Sequence, residues 1–196
     1  MFILKYGNTN TFFISGKNGN LLVDTDYAGT LPAFYKALKT HDIKVNDITY
    51  VIATHYHPDH IGLISELCEQ GVGHLIIDVQ KDSVHFSDRI FERDKLPYKP
   101  IKETEATVIS CAESRGFLSE IGISGEIIRT PSHSTDSVSI ILDDGSCIIG
   151  DTEPCGYTEI YEDNSSLRND WSNILSYNPK RIFPAHRPAF DIDEWE

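Results

Sequence analysis

Four side chains able to bind a metal ion stand within six residues of one another in Thr54-His55-Tyr56-His57-Pro58-Asp59-His60. They directly follow the mostly apolar run Ile48 to Ala53, whose β-branched residues predict a buried strand. Pro58 suits the first turn of a helix, where its missing N–H costs nothing. The sequence therefore predicts strand, loop and helix in succession, with His55 and His57 in the loop and Asp59 and His60 at the helix N-terminus. A fold that satisfies this unit must leave one edge of a sheet open above the strand end.

Three later residues repeat the theme of a polar ligand just past a strand. They are His133 in Thr130-Pro-Ser-His-Ser-Thr135, Asp151 in Ile148-Ile-Gly-Asp151 and His186 in Ile182-Phe-Pro-Ala-His186. Strand ends at one edge of a sheet can converge on a single pocket. Imidazole and carboxylate together suit zinc, iron or manganese, and a set without thiolates argues against a closed structural zinc site. Five of the eight histidines fall on this pattern; His41, His74 and His85 lack its context and receive no role.

Around this set the chain alternates strands and helices. Residues 2 to 6, 11 to 15 and 21 to 24 read as a β-meander with Gly-Asn turns. Ala33, Phe34, Ala37 and Leu38 predict a helix from Thr30 to about Thr40, and Ile61, Leu63, Ile64, Leu67 and Cys68 an amphipathic helix ending at Gly71 or Gly73. A strand follows over 75–79, then a helix near 114–121, strands at 126–130, 137–142 and 146–150 around an Asp143-Asp-Gly145 turn, a helix at 165–176 and a strand at 181–183. Segment 81–104 carries six basic and five acidic residues. It is expected to be a solvated surface excursion, with a lid or substrate-facing insertion as the alternative.

A chain of 196 residues, 40% of them hydrophobic, fits one domain over 1–196 and can bury a core without disulfides. Its formal net charge of -13 repels polyanions and anionic membrane surfaces, so nucleic acid and membrane are not expected partners and a small molecule is. No basic leader opens the sequence and no stretch approaches the roughly 20 apolar residues of a membrane span, which predicts a cytoplasmic location. Cys68, Cys111, Cys147 and Cys155 show no CxxC spacing, as suits buried thiols in a reducing compartment. Cys155 lies close to Asp151 and is expected to pack near it.

HxHxDH followed by isolated His, Asp and His resembles the metallo-β-lactamase fold superfamily, over nearly the whole chain. Asp24, ending the strand Leu21-Leu-Val23, resembles the first of that superfamily's five motifs, whose carboxylate supports the site from behind the ligands. The resemblance implies an α/β fold: a four-layer αβ/βα sandwich of two mixed β-sheets flanked by helices. It implies that His55, His57 and His133 hold one metal and Asp59, His60 and His186 a second, with Asp151 bridging. Two such ions, zinc in the first place and manganese or iron as alternatives, sit about 3.5 to 4 Å apart and share a hydroxide. Asp59 and His60 are the implied catalytic residues, Asp59 orienting the hydroxide and passing a proton to the leaving group.

The sequence departs from many relatives at three points. Ser132 and Asp136 stand where glycines are common around the histidine, and Arg187-Pro188 follows His186 in place of glycine. Asp136 adds a charge near the metals; Arg187 either meets an anionic substrate group or is an ordinary surface arginine. Tyr56, Tyr157 and Tyr161 lie near ligands and are expected to pack rather than to touch substrate. The chain ends ten residues after His186, without the C-terminal helical domain of glyoxalase II-like thioesterases. It is also short and acidic for the nuclease branches, and His60 disfavours a secreted β-lactamase. The implied activity is dinuclear hydrolysis of an ester, thioester, lactone or phosphoester. A mononuclear iron enzyme resembling sulfur dioxygenases and a non-catalytic metal-binding or sensing module are the alternatives; His57 argues against the flavodiiron branch, which has a carboxylate there. Oligomeric state is not indicated.

Overall fold

The apolar residues of nearly every long strand occupy both faces, and the architecture follows from that. In the computed structural model, which describes residues 1–157 and 165–192, six strands form one sheet: β1 (Phe2–Leu4), β2 (Thr11–Ser15), β3 (Asn20–Val23), β4 (Tyr50–Ile52), β5 (Gly73–Ile77) and β6 (Thr107–Ile109). They lie in sequence order, antiparallel from β1 to β3 and parallel from β3 to β6. The second sheet holds β7 (Gly125–Arg129), β8 (Val138–Leu142), β9 (Ser146–Gly150), β10 (Arg181–Pro184) and β11 (Phe190–Asp191). Its order is β11-β10-β9-β8-β7, with β9 and β10 parallel and the other pairs antiparallel.

Successive side chains of a strand point to opposite faces, and here both faces are covered. Phe12, Ile14, Leu21, Val23, Ile52, Leu75 and Ile77 of the first sheet meet Ile127, Val138, Ile140, Leu142, Ile148 and Phe183 of the second in one core between them. The alternate residues Phe13, Leu22, Val51 and Ile76 pack outward against Phe34, Ala37 and Leu38 of helix α1 (Leu31–Thr40). On the far side Ile128, Ile141, Cys147, Ile149 and Ile182 pack against Leu167, Trp171 and Ile174 of a helix at Ser165–Ser176. Two mixed sheets with helices outside them make four layers. Each fully buried aliphatic residue contributes about 1.5–3 kcal/mol of transfer free energy.

The expected amphipathic helix after the histidine motif is two helices, α2 (Pro58–Ile61) and α3 (Ile64–Cys68). They part at Gly62, which is pressed so close to the Asp26–Ala28 backbone that an added Cβ would lie 2.1 Å from Ala28 N. The helix expected at 114–121 is α5 (Cys111–Glu120), the next helix after α4 (Asp88–Arg93). It starts earlier because Ser110 and Glu113 form a capping box, which fixes the first turn. Strands β6 and β11, three and two residues long, carry too little alternation to be read as strands. The helix at Ser165–Ser176 is α6.

Segment 81–104 runs over the surface with most of its residues exposed, and a few buried side chains anchor it. Val84, Phe91 and Ile101 are buried in the core on the α1 side, Phe91 stacks on Tyr98 with centroids 3.9 Å apart, and the buried Ser87 hydroxyl donates to Tyr56 O at 2.6 Å. Its charged residues are the outer face of a packed element. No helix among the described residues is long and apolar enough to cross a membrane.

Candidate metal centre

The C-terminal ends of β3, β4, β9 and β10, with the β7–β8 loop, deliver the polar residues to one place. Ligand atoms of His55, His57 and His133 lie within 4.8 Å of one another, as do those of His55, His60 and Asp151, and those of Asp59, His60 and His186. All seven sequence candidates for metal ligation therefore meet in one cluster. His133 Nε2 stands 3.2 Å from His57 Nδ1. Asp151 lies between the two outer groups: Oδ2 is 3.9 Å from His55 Nε2 and 3.7 Å from His133 Nε2, while Oδ1 is 3.5 Å from His60 Nε2 and 3.2 Å from His186 Nε2.

Local backbone features aim these groups. Gly150 has φ +56°, and a Cβ there would meet Thr54 Oγ1 at 2.7 Å; only glycine lets the strand end turn so close to the histidine loop. Asp24 takes a left-handed φ of 60° at the end of β3, accepts from Thr54 N at 2.6 Å and lies 3.1 Å from His60 Nδ1. His186 Nδ1 contacts Asn8 O at 3.1 Å, which fixes the tautomer and leaves Nε2 facing Asp59 Oδ2 at 3.2 Å.

Two residues behind the ligands tie the loops together. Asp136 accepts from Tyr56 N at 2.8 Å and from the Ser134 hydroxyl, so the charge flagged by the sequence is spent on joining the His133 loop to the His55–His57 loop. Gln80, fully buried, donates to Ala53 O at 2.9 Å and Asp136 O at 3.2 Å; nothing in its sequence context marks it. Asp170 of α6 accepts from Ser132 N at 2.7 Å. Tyr56 packs, as expected, with its hydroxyl 3.0 Å from His74 Nε2. Cys155 packs against the α6 core. Tyr157 is partly exposed, and Tyr161 lies outside the described residues.

The charge states divide the cluster. Burial holds His55 well below the ordinary histidine range, helped by His60, and burial with His133 lowers His57. Burial opposes charge on His60 too, but Asp24 and Asp151 outweigh it and push it up to about 10. Hydrogen bonds to Asp151 and Asp59 push His186 up to about 11. Burial works against ionising Asp151 and Asp59, yet His186 and His60 hold both carboxyls below their usual range. Protons thus occupy the second group where carboxylates demand positive charge.

The residues fit metal ions on their own geometry. His55 Nε2 and His60 Nε2 are buried without a hydrogen-bond partner, a state that costs about 1–3 kcal/mol for each group if nothing else satisfies it. Both atoms face Asp151 in the cluster, and a metal ion would take the lone pair of His55 Nε2 and, in exchange for its proton, that of His60 Nε2. A cavity of about 150 Å³ opens beside the cluster, lined in part by His133, Asp151, His186 and Arg187.

The chain belongs to the metallo-β-lactamase superfamily, whose family pattern matches residues 4–186. It is similar to the Beta-lactamase-like protein 2 homolog of Caenorhabditis elegans, 26% identical over 204 residues that cover 95% of this chain and 60% of that protein. It is also similar to the Probable metallo-hydrolase MJ0888 of Methanocaldococcus jannaschii, 34% identical over 152 residues, 75% of this chain and 68% of that one. Among solved structures it resembles TTHA1623 in a di-iron-bound form, with a TM-score of 0.75 at 19% identity over 98% of this chain and 96% of that one. The chain spans only three fifths of the C. elegans relative's length.

Proposed function

We propose that the protein is a metal-dependent hydrolase that holds two divalent ions, zinc in the first place, and cleaves an ester, thioester, lactone or phosphoester of a small molecule in the cytoplasm. The observation that carries this reading is the position of Asp151, with one carboxylate oxygen toward His55 and His133 and the other toward His60 and His186. In this reading His55, His57 and His133 hold one ion, Asp59, His60 and His186 the other, and Asp151 both. The formal charge of -13 supports a small substrate over a polyanion.

When bound, the ions supply a water acidic enough to ionise near neutral pH and a field that stabilises the oxygen charge developing on the attacked group. Asp59, kept ionised beside His186, orients the attacking water by accepting its hydrogen bond. As the water oxygen joins the acyl or phosphoryl centre, Asp59 takes up the water's proton, and it passes that proton to the leaving oxygen or sulfur as the bond to it breaks. His60 is held by Asp24 and Thr54, which keeps this end of the site in register with Asp59.

Elemental analysis of the purified protein, with a screen of chromogenic esters, thioesters, lactones and phosphodiesters, tests the reading. Two ions per chain and activity lost to a chelator are expected. The di-iron form of TTHA1623 supports iron as the alternative to zinc for the pair of ions. One iron per chain, oxygen-dependent sulfur oxidation and no hydrolysis would replace the hydrolase with an oxygen-using enzyme.

A further inference from the structure

Two side chains outside the ligand set give the mouth of the site a direction. Phe86 leaves 60% of its surface exposed, yet its ring sits 5.7 Å from that of His57. The neighbouring Ser87 is fully buried and bonded to Tyr56 O, between the two ligand histidines, so Phe86 is pinned to the ligand loop. A large apolar ring exposed beside a reactive centre offers surface whose burial by an apolar substrate group is favourable. At the other end Arg187, adjacent to His186, lines the cavity with Asp151, Pro184 and Phe190. Glu153 is ion-paired with its guanidinium at 3.8 Å, too long for a hydrogen bond, so among the described residues no carboxylate is seated on the planar fork of donors.

Resting on the hydrolase reading for the location of the reacting bond, we infer that the substrate is amphiphilic: a carboxylate or similar anion that meets Arg187 near His186, and an apolar group that covers Phe86 near His57. The scissile bond then lies between these ends, over the metal cluster. Arg187 and Phe86 are specificity residues, and Glu153 moderates the cation by competing for it.

The test uses the zinc-loaded protein and two amides of matched shape, the monoanilide of succinic acid and the neutral anilide of butyric acid, titrated by calorimetry. The wild type is expected to bind the acid about tenfold more tightly, as one charge-assisted contact provides. Arg187→Ala should erase that preference, Arg187→Lys should keep part of it and Glu153→Gln should increase it. Phe86→Ala should weaken both anilides by about fivefold, as loss of one aromatic contact does, and Phe86→Tyr should restore them. Equal binding of the two amides by the wild type overturns the inference. So does a preference that survives Arg187→Ala, which means that the ions read the anion, or binding indifferent to Phe86→Ala. Preference without turnover of any ester, thioester, lactone or phosphoester would leave this inference standing and remove the hydrolase reading; turnover without preference would do the reverse.

Discussion

Asp24 Oδ2 lies 3.1 Å from His60 Nδ1, with both side chains fully buried. The same carboxylate accepts the amide and hydroxyl of Thr54, so one group behind the ligands sets both the strand end and the ring of His60. A carboxylate in this position fixes the tautomer of a ligating histidine and raises its basicity.

Asp24→Asn keeps the shape and tolerates the left-handed backbone but removes the charge. Metal affinity at the His60 group is expected to fall about 10- to 100-fold, read by competition with a chromogenic chelator. Affinity equal to that of the wild type would mean that Asp24 only shapes the backbone.

His133 and Asp151 stand in loops outside all three apolar cores. Replacing His133 with alanine should cost little stability, within about 1 kcal/mol by denaturant unfolding of the metal-free protein, whereas Asp151→Ala also removes the counter-charge of His60 and His186 and should cost more. Hydrolysis should fall at least about a hundredfold, because ligands matter at least as much as the partners behind them. Full turnover in either metal-loaded variant would remove the residue from the ligand set.

The candidate ligand set was legible because each member follows a strand of strong apolar character; that β4 of one sheet and β7, β9 and β10 of the other end at the same place is a tertiary fact. His55 to His60, His133, Asp151 and His186 could be read for that reason. The break at Gly62 was not legible: the apolar spacing of Ile61, Ile64 and Cys68 is helical on both sides of it, and the close approach of the Asp26–Ala28 backbone is a tertiary fact. Phe86 and Gln80 were hidden in the same way, since exposure of one and burial of the other depend on how segment 81–104 folds back. The capping box at Ser110 and Glu113 was written in the sequence, and its four-residue spacing would have placed the start of α5.

Metal uptake should release protons. In the metal-free chain His60 and His186, pushed up to about 10 and about 11, both hold a proton at neutral pH, whereas ligation requires the neutral ring. Loading at pH 7 should release about two protons per chain. Calorimetry in two buffers of different ionisation enthalpy measures this. Zinc binding with no buffer dependence would mean either that both rings are already neutral in the metal-free chain or that they are not ligands.

His74, 4% exposed, is lowered by burial to about 4, and its Nε2 contacts the Tyr56 hydroxyl at 3.0 Å. Above about pH 6.5, the ordinary value for a histidine in the unfolded chain, both states are neutral and its full contribution to stability is present. Between about pH 6.5 and 4 the unfolded chain takes up a proton that the folded one refuses, so stability is lost as the pH falls through that window. The loss approaches about 3 kcal/mol in total, at order of magnitude. His74→Gln can still accept the Tyr56 hydroxyl but cannot be protonated there. Urea unfolding of the chelator-treated proteins from pH 7 to 4 should therefore show the variant losing less stability than the wild type, because the carboxylates and ligand histidines titrate alike in both. Parallel curves would mean that the wild-type ring is already protonated in the fold, and that the contact with Tyr56 runs from imidazolium to phenol oxygen.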